Sequence, residues 1–256
     1  MTPPLFWVAA KALASATPGG AIWLTGEEAR HAASAHRLRV GEELLVSDAV
    51  GSRAWTHVAA QEPGPALRLV IDRIERFEEP SPALTLVQAL AKGRREEAAV
   101  AAATQLGVDG LIPWQAVRSA QRWAGPKQDA GLERWRRLAR AEGKVARRAR
   151  LPEVGSALDS PALAELLERA IKREGAHGIV LHEEADAPLA ERLTEAAGSP
   201  AVYLLVGPEG SISPEELAAF EAAGASAARL GPEVVRTAVA GVAALTLACH
   251  VLGRWA

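Results

Sequence analysis

Apolar residues between positions 43 and 74 come in three short runs, 44–47, 54–58 and 67–71, separated by the turn-rich segments 48–51 and 62–65. Runs of that length predict strands, and three in close succession predict a small β-barrel. The segment 78–82, Glu-Glu-Pro-Ser-Pro, reads as a linker. Beyond it, strand-like runs at 84–90, 110–114, 178–182, 201–206 and 227–230 alternate with helical stretches, the pattern of a parallel sheet covered by helices on both faces. The expected organisation is α/β, with an N-terminal barrel over residues 1–77 and a larger sheet domain over 78–256. The last helix, expected over 234–252, is apolar around its circumference and holds thirteen uncharged residues between Arg236 and His250. Thirteen is too few to cross a bilayer. The helix is expected to pack on the sheet with one side and on a second copy with the other, in a C2 homodimer.

Two glycine loops stand out near the C-terminus. The apolar run 201–206 opens through Gly207-Pro208-Glu209-Gly210 into a helix for which Ser213 suits the N-cap, Pro214 the first helical position and Glu216 the closing residue of a capping box. A second strand opens through Leu230-Gly231. Glycine lets a backbone approach a ligand closely, and open α/β sheets bind ligands in loops at the carboxyl ends of their strands. Three such loops, 181–185, 207–211 and 230–236, are expected to build one apolar slot edged with backbone hydrogen-bonding groups. No Gly-x-Gly-x-x-Gly occurs, which disfavours a Rossmann-type nucleotide site.

Composition changes this picture in two places. A single cysteine, Cys249, excludes intrachain disulfides and cysteine-rich zinc sites and suits a reducing cytoplasm. The six histidines show no metal-ligand spacing, so no metal is expected; His182, at a strand end beside Glu183 and Glu184, is the one nearest the expected slot. The N-terminus meets its first charge only at Lys11, after a short apolar opening, whereas a secretory signal carries its charge ahead of a longer apolar run, so Ala14-Ser-Ala16 is not read as a cleavage site. Net charge is −2, but residues 1–79, 80–150 and 151–256 carry −2, +8 and −8. Such segregation points to a polyanionic partner. Much of the excess falls on one expected helix, where Arg137, Arg140, Lys144 and Arg147 or Arg148 recur at i, i+3 and i+4, while Leu132, Trp135, Leu138, Val145 and Ala149 can face inward. The stripe reads either as a phosphate-contacting face, which arginine suits, or as a solvated one.

Taken together, residues 207–213 and 230–240 resemble the loop motifs of the SPOUT methyltransferases, and specifically of the RsmE family of small-subunit rRNA uridine-N3 methyltransferases. Residues 87–96, 103–113, Arg118-Ser119 and Arg37-Leu-Arg39-Val-Gly41-Glu42 are similar to further blocks of that family. Ser211 and Ile212 stand at its Gly-Phe positions, Glu233 replaces its first arginine, and Ala238-Val239 replaces its Glu-Thr pair. The resemblance implies a trefoil-knotted SPOUT domain after a PUA-like RNA-binding barrel, a homodimer, S-adenosyl-L-methionine as cofactor, and 16S rRNA, within the small ribosomal subunit, as partner. It places the cofactor on Leu181, Gly207, Pro208, Glu209, Gly210, Ser211, Leu230, Gly231, Val235 and Thr237. RNA contacts are expected from Arg37, Arg39, Lys92, Arg94, Arg95, Arg137, Arg140, Lys144 and Arg148.

The implied reaction moves a methyl group from a sulfonium to N3 of uracil. N3 carries a proton and is nucleophilic only once it leaves, so the site must favour an anionic ring. Arg236 is the catalytic candidate for that electrostatic role. Glu209 reads either as a substrate contact or as a turn carboxylate bonding N–H groups, and no general base is assigned. Two other readings stay open: methylation of another rRNA or tRNA nucleotide, and a non-catalytic RNA-binding or ribosome-assembly protein on the same scaffold.

Overall fold

The computed structural model describes every residue except Met1, Pro63, Pro65 and Ala256; two positions of the turn expected at 62–65 therefore lie outside the described residues. The chain forms two compact units, Met1–Glu79 with Arg140–Leu151, and Pro80–Ala139 with Pro152–Ala256.

The first unit holds strands β1 (Leu5–Trp7) and β2 (Ala21–Leu24), helix α1 (Gly26–Ser34), and strands β3 (Glu43–Ser47), β4 (Ser52–Glu62) and β5 (Ala66–Arg76). The five strands pair in the order β1-β3-β4-β5-β2, with β1 parallel to β3 and every other pair antiparallel. Phe6, Leu24, Leu44, Val46, Val58, Leu69 and Ile71 fill one core, as the inward positions of half-buried strands do. The segment Arg140–Leu151 joins this unit through backbone groups: Trp7 Nε1 donates to the Arg140 carbonyl at 3.1 Å, and an Arg53 nitrogen donates to that of Arg147 at 2.7 Å.

The expected basic stripe is altered there. Its helix ends at Val145, so Arg147, at φ +53°, and Arg148 do not continue the face. Lys144 pairs with Glu28 at 2.7 Å, and Arg147 donates to the carbonyls of Thr2, Pro3 and Val145. Val145, expected inward, is exposed, because the chain leaves helical geometry just beyond it.

The second unit alternates β6 (Ala83–Ala89), a 3-10 turn at Lys92–Arg94, α2 (Arg95–Leu106), β7 (Gly110–Gln115), α3 (Pro126–Val145, which reaches the first unit from Arg140), β8 (Glu153–Val154), β9 (Leu158–Asp159), α4 (Ser160–Glu174), β10 (His177–Leu181), α5 (Leu189–Glu195), β11 (Ala201–Val206), α6 (Pro214–Ala222), β12 (Ser226–Ala228) and α7 (Thr237–Val251). Its strands run in the order β12-β10-β11-β6-β7-β8, with β9 also on β7, all parallel. Side chains alternate along β6: Leu84 and Leu86 join one core, Val87 and Ala89 the other. Both faces are therefore covered, as near-continuous apolar strands require.

Helix α7 begins at Thr237, three residues later than expected. Arg236 caps it in extended geometry, with φ −61° and ψ 145°, and the β-branched pair Val234-Val235 before it favours extended chain. The strand expected over 227–230 ends at Ala228, freeing Leu230 and Gly231 for the following loop.

One buried carboxyl sits where burial disfavours its charged form. Glu96 in α2 is fully buried; it accepts from the Ala91 N–H at 3.3 Å through one oxygen, while the other has no partner. Burial pushes its pKa up. A carboxyl whose folded pKa is raised contributes stability that is present in acid and lost as pH rises through that pKa. Glu96→Gln should therefore raise the melting temperature at neutral pH, with the gain shrinking toward zero below the ordinary glutamate pKa of about 4.3. Calorimetry across that range measures it.

Candidate functional site

Strands β12, β10 and β11 are neighbours and parallel, so their carboxyl ends open side by side. The loops that follow them enclose a cavity of about 230 Å³. Its walls are Leu181, Glu183, Val206, Gly207, Pro208, Glu209, Ser211, Ile212, Val234, Val235, Arg236, Thr237 and Ala240. An annex of about 60 Å³ adjoins it, shares Leu181, Glu183, Val234, Val235 and Ala240, and adds His182, Arg229, Leu230, Gly231 and Glu233.

The loop after β11 is held from behind. Ser213 and Glu216 form the expected capping box, and Pro214 occupies the first turn. Glu216, buried, also accepts from the Val117 N–H at 2.7 Å and from the Ser160 hydroxyl, which in turn accepts from Trp114 Nε1 at 3.0 Å. One carboxylate thus fixes the loop, the start of α6 and the segment after β7. Gly207 lines the cavity, and packing excludes a side chain there: a Cβ would lie 2.6 Å from Ile212 Cγ1. Gly210 lines neither cavity. It lies against Arg118, whose guanidinium donates to the Gly210 carbonyl at 3.3 Å.

Ser211 sits at φ +62°, the left-handed region that glycine occupies without penalty and other residues at a cost of roughly 1–2 kcal/mol. Its hydroxyl donates to Glu183 at 3.1 Å, tying two of the loops together. Glu209 accepts from the Lys92 N–H at 3.2 Å and pairs with Arg95 at 3.3 Å. Its carboxylate therefore bonds a neighbouring segment and draws Lys92, Arg94 and Arg95 beside the loop; Arg94, at φ +59°, lies 3.9 Å from Glu97.

The third loop supplies uncommitted backbone. Among the described residues, nothing accepts a hydrogen bond from the N–H groups of Leu230, Gly231, Glu233, Val234 or Val235. Backbone donors at a cavity wall normally find a partner or water, so these are open to a ligand. Below them, Thr237 donates to the Gly207 carbonyl at 2.7 Å and accepts from Gln88 Nε2 at 2.9 Å. Arg236 is exposed on the cavity wall and makes no ion pair among the described residues. Of the remaining candidates, Arg137 and Arg140 are exposed on α3, while Arg37 and Arg39 lie exposed between α1 and β3 in the first unit.

Glu183 and Val234 line the cavity from the expected loops 181–185 and 230–236, whereas sequence reasoning missed Val206, Ile212 and Ala240 as walls, and Gln88 as the buried group beneath them. The position of Gln88 at the end of an otherwise apolar strand was the available signal.

A parallel sheet with a cavity at adjacent strand ends defines an α/β ligand-binding domain, and the family described as RNA methyltransferase domain matches residues 78–249. The chain is 40% identical over 237 residues to the ribosomal RNA small subunit methyltransferase E of Mycobacterium bovis, covering 93% of this chain and 89% of that one, and equally so to that of Mycobacterium tuberculosis. The fold superposes on a ribosomal RNA small subunit methyltransferase E from Neisseria gonorrhoeae bound to S-adenosyl methionine, with TM-score 0.84 at 20% identity over 99% of this chain and all of that one. The chain belongs to the ribosomal RNA small subunit methyltransferase E family.

The hydroxyl of Thr237 gives the site a direct test. Thr237→Val removes it without changing shape, leaving the Gly207 carbonyl and a buried Gln88 N–H unpaired. The expected loss is about 1–3 kcal/mol of unfolding free energy in denaturant titrations. Thr237→Ser should recover most of it.

Proposed function

We propose that this protein transfers the methyl group of S-adenosylmethionine to N3 of a uridine in 16S rRNA of the small ribosomal subunit, acting as a homodimer. The observation that carries the reading is the convergence of the three strand-end loops on one cavity, with free backbone donors on one wall and an unpaired arginine on its rim. Leu181, Val206, Ile212, Val235 and Ala240 fit the apolar parts of such a cofactor, and the backbone from Leu230 to Val235 fits the edge of its base. When bound, the cofactor supplies an electrophilic methyl group on a sulfonium sulfur.

The protein's part is electrostatic. Uracil N3 must shed its proton before its lone pair can form the new N–C bond, and the Arg236 guanidinium favours the resulting anion through a ring oxygen. Glu209 is not available as the base, since Lys92 N–H and Arg95 hold its carboxylate. Lys92, Arg94, Arg95 and Arg118 place positive charge beside the same loop and suit the flanking phosphates.

Two finer readings of the fold accompany this one. The run from β12 at the sheet edge through residues 230–236 into α7, which packs on the central β6 and β11, supports a trefoil knot. The five-stranded first unit supports a PUA-like barrel. The dimer is supported by α7 itself, where Val239 is exposed and Val242, Ala243 and Thr246 follow on the same face.

Arg236→Ala should lower single-turnover methylation of rRNA by roughly a hundredfold, with cofactor affinity by calorimetry unchanged. Equal turnover would return Arg236 to a structural role. Val239→Glu, placing charge on the exposed face of α7, should shift light scattering from dimer to monomer.

A further inference from the structure

The first unit contains a cavity that the methyl-transfer site does not use. It measures about 320 Å³ and is lined by Trp7, Ala12, Ile22, Trp23, Thr25 and Arg140 among others. Ile22 and Leu24 on β2 pack on the core of this unit, whereas Trp23 between them points outward and is 49% exposed. An indole left half in water beside a cavity presents a large π-face with nothing on it. The Arg140 guanidinium lies over the Trp7 ring, 5.5 Å from its centroid, and Trp7 Nε1 in turn donates to the Arg140 carbonyl.

Arginine and lysine side chains flank this cavity, with Glu28 beside them accepting from the Trp7 N–H at 3.3 Å. Arg68 stands directly across from Trp23 in the antiparallel β2–β5 register, which places both side chains on the same face. Lys11 lies in the loop that supplies Ala9 and Ala12 to the wall. None of the lining residues is a carboxylate. Glu28, the nearest acidic group to Arg140 at 3.7 Å, is already held by Lys144 at 2.7 Å. Thr25 caps α1 without a side-chain hydrogen bond, so its hydroxyl remains open toward the cavity.

We propose that this cavity takes the base of one unpaired nucleotide of the RNA, stacked against Trp23, with Arg140 and Arg68 on the flanking phosphates. A stacking platform with arginines beside it is the chemistry by which single-stranded nucleic acid is held, and the volume is at the lower end of small-ligand pockets. A duplex has no free base to offer, so the site selects for an unpaired segment. Arg140 thereby acts at a pocket rather than as part of a helical stripe. The proposal rests on RNA being the substrate, as read above.

The test is fluorescence titration of the full-length protein with a short single-stranded oligoribonucleotide and with a duplex of the same sequence. The wild type should bind the single strand more tightly and lose indole emission on binding. Trp23→Ala should weaken single-strand binding by about tenfold or more and abolish that preference, yet leave the salt dependence unchanged, because stacking releases no counterions. Trp23→Phe, which keeps a ring, should retain most of the affinity. Arg140→Gln should reduce the salt slope by about 0.7. Wild-type affinity and quenching in Trp23→Ala would overturn the proposal. If that variant also methylates rRNA normally, the methyltransferase reading survives; if the wild type neither binds RNA nor methylates it, both fall. Trp23 is half exposed, so circular dichroism should show an unchanged fold in each variant.

Discussion

The hydroxyl of Thr237 is the point on which the site depends. It donates to the carbonyl of Gly207 and accepts from the amide of Gln88, so two strands and a helix meet at one atom: the end of β11, the end of β6 and the first residue of α7. Gln88 lies 149 positions earlier, and no local preference could bring it there. Residues 230–236, just before that anchor, stay outside the helix and run along the cavity. Their backbone donors are free for that reason. The Gln88 amide oxygen has no partner and is fully buried, a cost on the order of 1–3 kcal/mol. An apolar residue at that position would avoid the cost and lose the anchor.

The loop after β11 shows a second compromise. Ser211 takes a backbone conformation suited to glycine, and the family motif has glycine at this place. The serine hydroxyl recovers part of the strain by bonding Glu183 across the cavity, so that the substitution exchanges backbone freedom for a cross-link between two ligand-facing loops. A related exchange surrounds Glu209, whose carboxylate gathers Lys92 N–H and Arg95. The Arg95 guanidinium stays near the loop because an acid on it holds it, and Lys92 because the same acid holds its backbone N–H.

The sheet was legible in the sequence because each of its principal strands is a continuous apolar run; residues 201–206 match β11 end to end. The capping box at Ser213 and Glu216 was equally plain, since its signal is local. Strands β1 and β2 and helix α1 were not anticipated. β1 has three residues, β2 has four, and neither alternates long enough to show a period. The start of α7 was misplaced because Val234 and Val235 continue its apolar pattern, and hydrophobicity cannot tell a buried helix from an extended cavity wall. In the site, the three loops were legible from strand ends and glycines, yet the packing around the glycines was not. Gly207 answers to Ile212 and Gly210 to Arg118, contacts that exist only after folding.

Charge illustrates the same limit with larger consequences. Along the chain the positive excess sits in residues 80–150, which suggests one basic region on the larger domain. Contacts divide it. Arg140–Leu151 belongs with the first unit and carries five Lys/Arg against one Asp/Glu, which takes that unit from −2 to +2 and leaves the second at −4. An acidic unit that must admit a polyanion needs its cations placed at the point of entry, and Lys92, Arg95, Arg118 and Arg236 lie at or beside the cavity loops. The first unit is weakly basic overall. Charge is thus divided between the two units in a way that the net charge of the chain does not report.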